Sequence, residues 1–138
     1  RPVWREISPH AFAFDGFRWH VRAFCHIDSR FKDFLLPRIL ETGDFGEPLT
    51  KSADDIAWHE TTIVTLKPHP DLADDQQFVV ARDYGMSKRR IDIEVRKALL
   101  YYFLKQLGLD FNEHKRPARE QHVVLANPSD VKRALEQS

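Results

Sequence analysis

Apolar and polar positions alternate with period two through "AFAFDGFRWHVRAFC", residues 11–25. A strand reverses its facing at every residue, so side chains two apart share a face. Trp19, Val21, Ala23 and Cys25 fall on one side and predict a core face. Arg18, His20, Arg22 and Phe24 fall on the other. Asp15-Gly16 lies between two apolar runs and predicts a tight hairpin of type I′, with positive φ at both central residues. "HIDS" (26–29) is the next turn, and 30–40 reads as a third strand. That strand sets Arg30, Lys32, Phe34, Leu36 and Arg38 along one side. Three short antiparallel strands in forty residues predict a small barrel or strongly curved sheet.

"ETGDFGEPLTKSADD" (41–55) has two glycines and a proline and breaks every period, so it reads as a domain boundary. Beyond it the pattern alternates between strand and helix. "ETTIVTLKP" (60–68) is a strand stopped by Pro68 and Pro70. Residues 71–85 predict a helix with Asp71 as N-cap and Gly85 just past its end. "RRIDIEV" is a strand, and "RKALLYYFLKQLGL" a helix closed by a Schellman stop at Gly108-Leu109. "HVVLANP" is a last buried strand, and the final helix takes Asn127 as N-cap and Pro128 at its first position. The expected fold class is therefore mixed β and α+β. A small β-barrel with its acidic connector (1–57) precedes a small α/β, ferredoxin-like unit (58–138).

The chain has 138 residues, 42% hydrophobic and 30% charged, which suits a folded protein rather than a disordered tail. Its longest apolar run, "ALLYYFL" (98–104), is far too short to span a bilayer. A single cysteine precludes an internal disulfide and fits a cytoplasmic setting. The opening "RPVWREI" carries no leader pattern and reads as a piece cut from a longer chain. Net charge is zero, which excludes a globally basic nucleic-acid binder. The charge is uneven, however: residues 1–40 sum to +3, 41–60 to −5, and 61–138 to +2. A basic front piece hints at an anionic ligand.

That hint directs attention to Arg22 and His20. A guanidinium presents a planar fork suited to phosphate or carboxylate, and an imidazole two residues away adds a donor or a stacking ring. The competing reading pairs Arg22 with Asp28 or Asp33 on a solvated face. Arg38 follows a proline at the end of the third strand, on the side of Phe34; its rival role is pairing with the acidic connector. Ser8 and His10 bracket Pro9, which cannot donate within a central strand, so a kink there could aim both side chains into a pocket. Arg18, Lys32 and Phe34 are additional candidates. The seven histidines lack metal-ligand spacing, Cys25 falls on the core side, and no nucleophile or phosphate-loop motif appears. Neither an enzyme nor a metal or other cofactor is expected. "ALLYYFLKQL" is apolar around more than half its circumference, which calls for a second cover such as a partner chain.

Taken together, "ISPHAFAFDGFRWHVRAFCHIDSRFKDFLLPRI" resembles the WYL domain of bacterial transcriptional regulators, most closely the BrxR/CapW-type repressors that control anti-phage defence islands. Where that family carries Trp-Tyr-Leu, this chain has Trp19-His20-Val21, a polar ring in place of a phenol. "WHETTIVTLKPHPDLADDQQFVVARDYGM" and "IDIEVRKALLYYFLKQLGLD" resemble the C-terminal extension of the same branch. The resemblance implies an Sm-like barrel followed by a dimerising extension, and a pocket that uses the Ser8–His10 segment. It also implies operator DNA bound through an N-terminal winged helix absent from this chain. The expected function is ligand sensing and homodimerisation in a DNA-binding repressor. A nucleotide or short nucleic-acid effector would be held by Ser8, His10, His20, Arg22 and Arg38. Two alternatives stand beside it: a stand-alone RNA- or single-strand-binding module, and a purely structural dimerisation unit.

Overall fold

A computed structural model describes residues 2–110 and 115–138. The chain divides into two compact units, Arg1–Ile56 and Ala57–Ser138.

Unit 1 holds three strands, β1 (Ile7–Phe14), β2 (Trp19–Cys25) and β3 (Arg30–Leu35), in an antiparallel sheet of order β1-β2-β3. Among the described residues this sheet is open, so the expected closed barrel is not formed. Three strands cannot pair first to last, and both outer edges stay without a strand partner. The β1–β2 connection is also not the two-residue type I′ turn. Gly16 alone has positive φ (+99°), and four residues, 15–18, make the loop. Asp15 organises that loop by accepting the N–H groups of Phe17 (2.8 Å) and Arg18 (2.6 Å), an Asx turn. The β2–β3 turn runs over residues 26–29, where Ser29 N–H donates to the Cys25 carbonyl.

Cross-strand pairing defines the two faces. Phe14↔Trp19, Phe12↔Val21↔Phe34, Pro9↔Ala23↔Lys32 and Ile7↔Cys25↔Arg30 share one face. Ala13↔His20↔Leu35, Ala11↔Arg22↔Asp33 and Ser8↔Phe24↔Phe31 share the other. Val21, Ala23 and Cys25 are buried as expected, but Trp19 is 52% exposed, at the strand end, against the Phe14 ring. The register slips between Pro9 and Ala11, so β1 bulges at His10. Pro9 lacks the N–H that a regular ladder requires there. β3 ends at Leu35, earlier than expected. Leu36–Arg38 forms a single 3₁₀ turn with Pro37 inside it, which takes Arg38 out of the strand register.

Unit 2 contains β4 (Thr61–Pro68), α2 (Asp74–Asp83), β5 (Ile91–Arg96), α3 (Leu100–Gln106), β6 (Val123–Leu125) and α4 (Pro128–Glu136). The short α1 (Ile56–His59) runs across the junction of the units. Among the described residues the sheet of unit 2 is antiparallel, of order β5-β4-β6, with three strands where a ferredoxin-like sheet has four. Val64 and Leu66 point from β4 onto Leu100 and Leu104 of α3 and Val131 and Ala134 of α4. The spacings of two, four and three are those of a strand face and two helix faces. The stop of α3 is a Schellman motif. Leu109 N–H donates to the Leu104 carbonyl (2.8 Å), Gly108 N–H to that of Lys105 (3.1 Å), and Gly108 has φ +71°.

The start of α2 differs from expectation. Ala73, not Asp71, holds the N-cap position, and the Gln76 side chain reaches back to accept the Ala73 N–H. Asn127 caps α4 by position only. Its side-chain amide extends the short β6 ladder instead, accepting from Thr65 N–H and donating to the Ile63 carbonyl. No helix among the described residues is long and apolar enough to cross a membrane.

Candidate functional site

The polar face of β2 is not solvated. His20 and Arg22 are 4% and 7% exposed, as buried as the apolar residues that alternate with them. Each is held by carboxylates. His20 Nε2 donates to Asp15 Oδ2 at 2.7 Å, which ties the first turn to the middle strand. The Arg22 fork is bidentate on Asp55: Nε lies 2.7 Å from Oδ2 and Nη2 3.0 Å from Oδ1. Its Nη1 faces Asp33 at 3.4 Å. His10, turned by the bulge, donates from Nε2 to the same Asp55 Oδ2 at 2.8 Å. Three donors from two strands thus converge on one carboxylate that is 1% exposed.

Ser8 lies on the same face and is 5% exposed. Its Oγ is 2.7 Å from His26 Nε2 and accepts the Leu49 N–H at 3.1 Å. The rings of His10, Phe24 and Phe31 pack edge to face beside it. The assembly is a buried hydrogen-bonded network walled by aromatics, in which unlike charges neutralise one another.

Titration follows from these contacts. The Arg18 amide and the His20 ring, helped by the Phe17 amide, outweigh burial and hold the Asp15 carboxyl well below its ordinary 3.8. Burial acts to lower the Arg22 pKa, but the hydrogen bond and charge of Asp55, with Asp33 behind it, raise it above its ordinary value. Arg22 is therefore a permanent cation. Burial pushes the Cys25 thiol up, yet hydrogen bonds from the Asp28 amide and Arg5 carry it below its usual value.

The structure brings Ser8, His10, His20 and Arg22 onto one face and leaves Arg38 apart from them. Arg38 is exposed, and its expected strand-mates Lys32 and Phe34 line the opposite face. Lys32 pairs with Asp28 at 2.6 Å and sits over the Phe34 ring, while Arg18 pairs with Asp15 at 3.5 Å. Of the two partners considered for Arg22, Asp33 is present, whereas Asp28 serves Arg5 and Lys32. The decisive partner, Asp55, was missed. Its only advance signal was the acid accumulated in the connector. The sequence pattern marks Asp15 as a turn residue, and the structure adds its role as the partner of His20. Among the described residues no three His, Cys, Asp or Glu side chains gather as a metal site.

Residues 61–131 match the family described as BrxR transcriptional regulator, C-terminal dimerization domain. That is just over half the chain. The chain belongs to this family. Along both units, the BrxR-family chain is similar to curated repressors. It is 41% identical over 128 residues to the DNA-binding transcriptional repressor CapW of Stenotrophomonas maltophilia, across 91% of this chain and 42% of that protein. It is 35% identical over 133 residues to that of Escherichia coli (strain KTE188), across 96% and 44%. It is 37% identical over 128 residues to that of Pseudomonas aeruginosa, across 93% and 43%. The BrxR-family chain thus spans less than half the length of these relatives.

Proposed function

We propose that this chain is the sensing and dimerising part of a cytoplasmic DNA-binding transcriptional repressor. Unit 1 acts as its WYL domain and unit 2 as its dimerisation domain. The observation that carries the reading is the alignment of repressors named CapW with more than nine-tenths of the chain, across both units. In this reading a winged helix elsewhere in the protein grips the operator, and an anti-phage defence locus is the regulated target. The effector is an anion, a nucleotide or a short nucleic acid. The buried network of Ser8, His10, His20 and Arg22 is the element that senses it, and Arg38 is an exposed electrostatic guide. Sensing needs an effector that binds two arrangements of the protein unequally, since equal binding shifts nothing.

The burial of Arg22 on Asp55 favours a second reading, in which unit 1 is a purely structural partner to the dimerisation unit. Two measurements test these readings: the first checks the dimer both require, and the second separates them. Light scattering of residues 1–138 should give a dimer at micromolar concentration, and a monomer would refute the dimerising role. Calorimetric titration with mononucleotides and short single strands should show binding that weakens with salt. Saturable binding supports the sensor; its absence at millimolar ligand leaves the structural unit.

A further inference from the structure

We propose that the Asp55 carboxylate is an internal ligand. It occupies, on His10 and Arg22, the place of the phosphate group of the effector, and effector binding exchanges one anion for the other and releases the connector. This rests on the effector-site reading above and adds the means by which occupancy is transmitted.

The geometry points to exchange. The donors belong to the sheet: His10 on the β1 bulge and Arg22 in the middle of β2. The acceptor belongs to a stretch with no strand. From residue 36 to 54 the chain is exposed except for half-buried Thr50, and then Asp55 is 1% exposed. From this stretch Asp55 reaches His10 and Arg22, and the Leu49 N–H donates to Ser8 Oγ. The movable partner is therefore the carboxylate and not the fork. A bidentate guanidinium with a convergent imidazole N–H serves two phosphate oxygens as well as two carboxylate oxygens.

Charge agrees with this. Simple opening would strand a buried Arg22 with only the longer 3.4 Å contact to Asp33. Replacement by another anion keeps the charge compensated, so release is tied to occupancy. Asp55 is the penultimate residue of unit 1, so its release frees the chain at the point where it passes into unit 2.

The test uses the 138-residue protein with two probes, inorganic pyrophosphate and a 5′-phosphorylated dithymidylate. Removing an internal competitor raises the fraction of molecules competent to bind. Asp55→Asn should therefore bind both probes on the order of tenfold or more tightly than the parent by calorimetry. Arg22→Gln should bind neither, alone or combined with Asp55→Asn. In the unsubstituted protein, saturating pyrophosphate should speed amide hydrogen exchange over residues 49–56 and leave β2 and β3 protected. If Asp55→Asn binds no more tightly while an Arg22→Gln variant shown by circular dichroism to be folded loses binding, the effector site stands and the exchange is wrong. If parent and Asp55→Asn both ignore millimolar probe, site and exchange both fall. Should Asp55→Asn not fold, exchange in the parent decides: binding with residues 49–56 unchanged overturns the proposal.

Discussion

Truncating Arg22 to alanine should destabilise unit 1 severely, and the structure sets the size of the effect. The guanidinium side chain is 9% exposed and that of Asp55 is 1%, so water screens neither. Removing the cation leaves the buried Asp55 carboxylate, and the half-buried one of Asp33, without it. Breaking a buried pair from one side costs roughly 3–5 kcal/mol. Unit 1 spans 56 residues, and at roughly 0.05–0.15 kcal/mol per residue its whole stability is about 3–8 kcal/mol. Arg22→Ala should thus remove most of it, leaving unit 1 partly unfolded at room temperature. Urea unfolding of parent, Arg22→Ala, Asp55→Ala and the double variant, followed by tryptophan fluorescence and circular dichroism, completes a cycle. The coupling between the sites should be about 1–3 kcal/mol. Asp28→Ala, at an exposed cluster, should barely move the midpoint. Arg22→Ala within about 0.5 kcal/mol of the parent, or a coupling of zero, would refute the clamp, since such values are those of ordinary surface sites.

Asp15→Asn should lower stability at neutral pH by weakening the His20 contact. Because the folded-state pKa of Asp15 lies below the ordinary value, its contribution is fully present above about pH 4 and fades as pH falls further, so urea midpoints of variant and parent should converge in acid. Leu104→Ala, at a side chain 1% exposed in the centre of the unit 2 core, should cost about 2–5 kcal/mol by denaturant titration. Gly108→Ala should cost at least about 1 kcal/mol and several degrees of melting temperature. Its φ is +71°, and the new Cβ would meet Arg116 Nη1 at 2.5 Å and Gln121 Oε1 at 2.8 Å.

What could be read in advance depended on range. The Schellman stop at Gly108-Leu109 and the alternation of Val21, Ala23 and Cys25 are local, since each is specified by neighbours within a few residues. Alternation tells which side chains share a face but not what covers that face. Hence Trp19 proved exposed, while His20 and Arg22 proved buried. The cover is Asp55, 33 residues beyond Arg22, and no periodicity reports a contact at that separation. Closure of a barrel is likewise a property of the whole sheet. β3 looked long enough to extend it until Pro37 turned residues 36–38 into a 3₁₀ step. The Asp71 cap failed for a smaller reason: Gln76 supplies the reciprocal bond to Ala73, two residues later.

The remote position of Asp55 also bears on the order in which unit 1 comes together. Its two hairpins close over four-residue loops and need only neighbouring chain. Docking of Asp55 on Arg22 closes a span of 33 residues, and on His10 one of 45, at a larger loss of chain entropy. The arginine at the heart of the sheet is therefore made early and neutralised late. On a growing chain, the strands are complete by residue 35, but their central charge waits for twenty more residues to be synthesised. For that interval the newborn sheet holds its central cation against Asp33, the weaker of its two carboxylates.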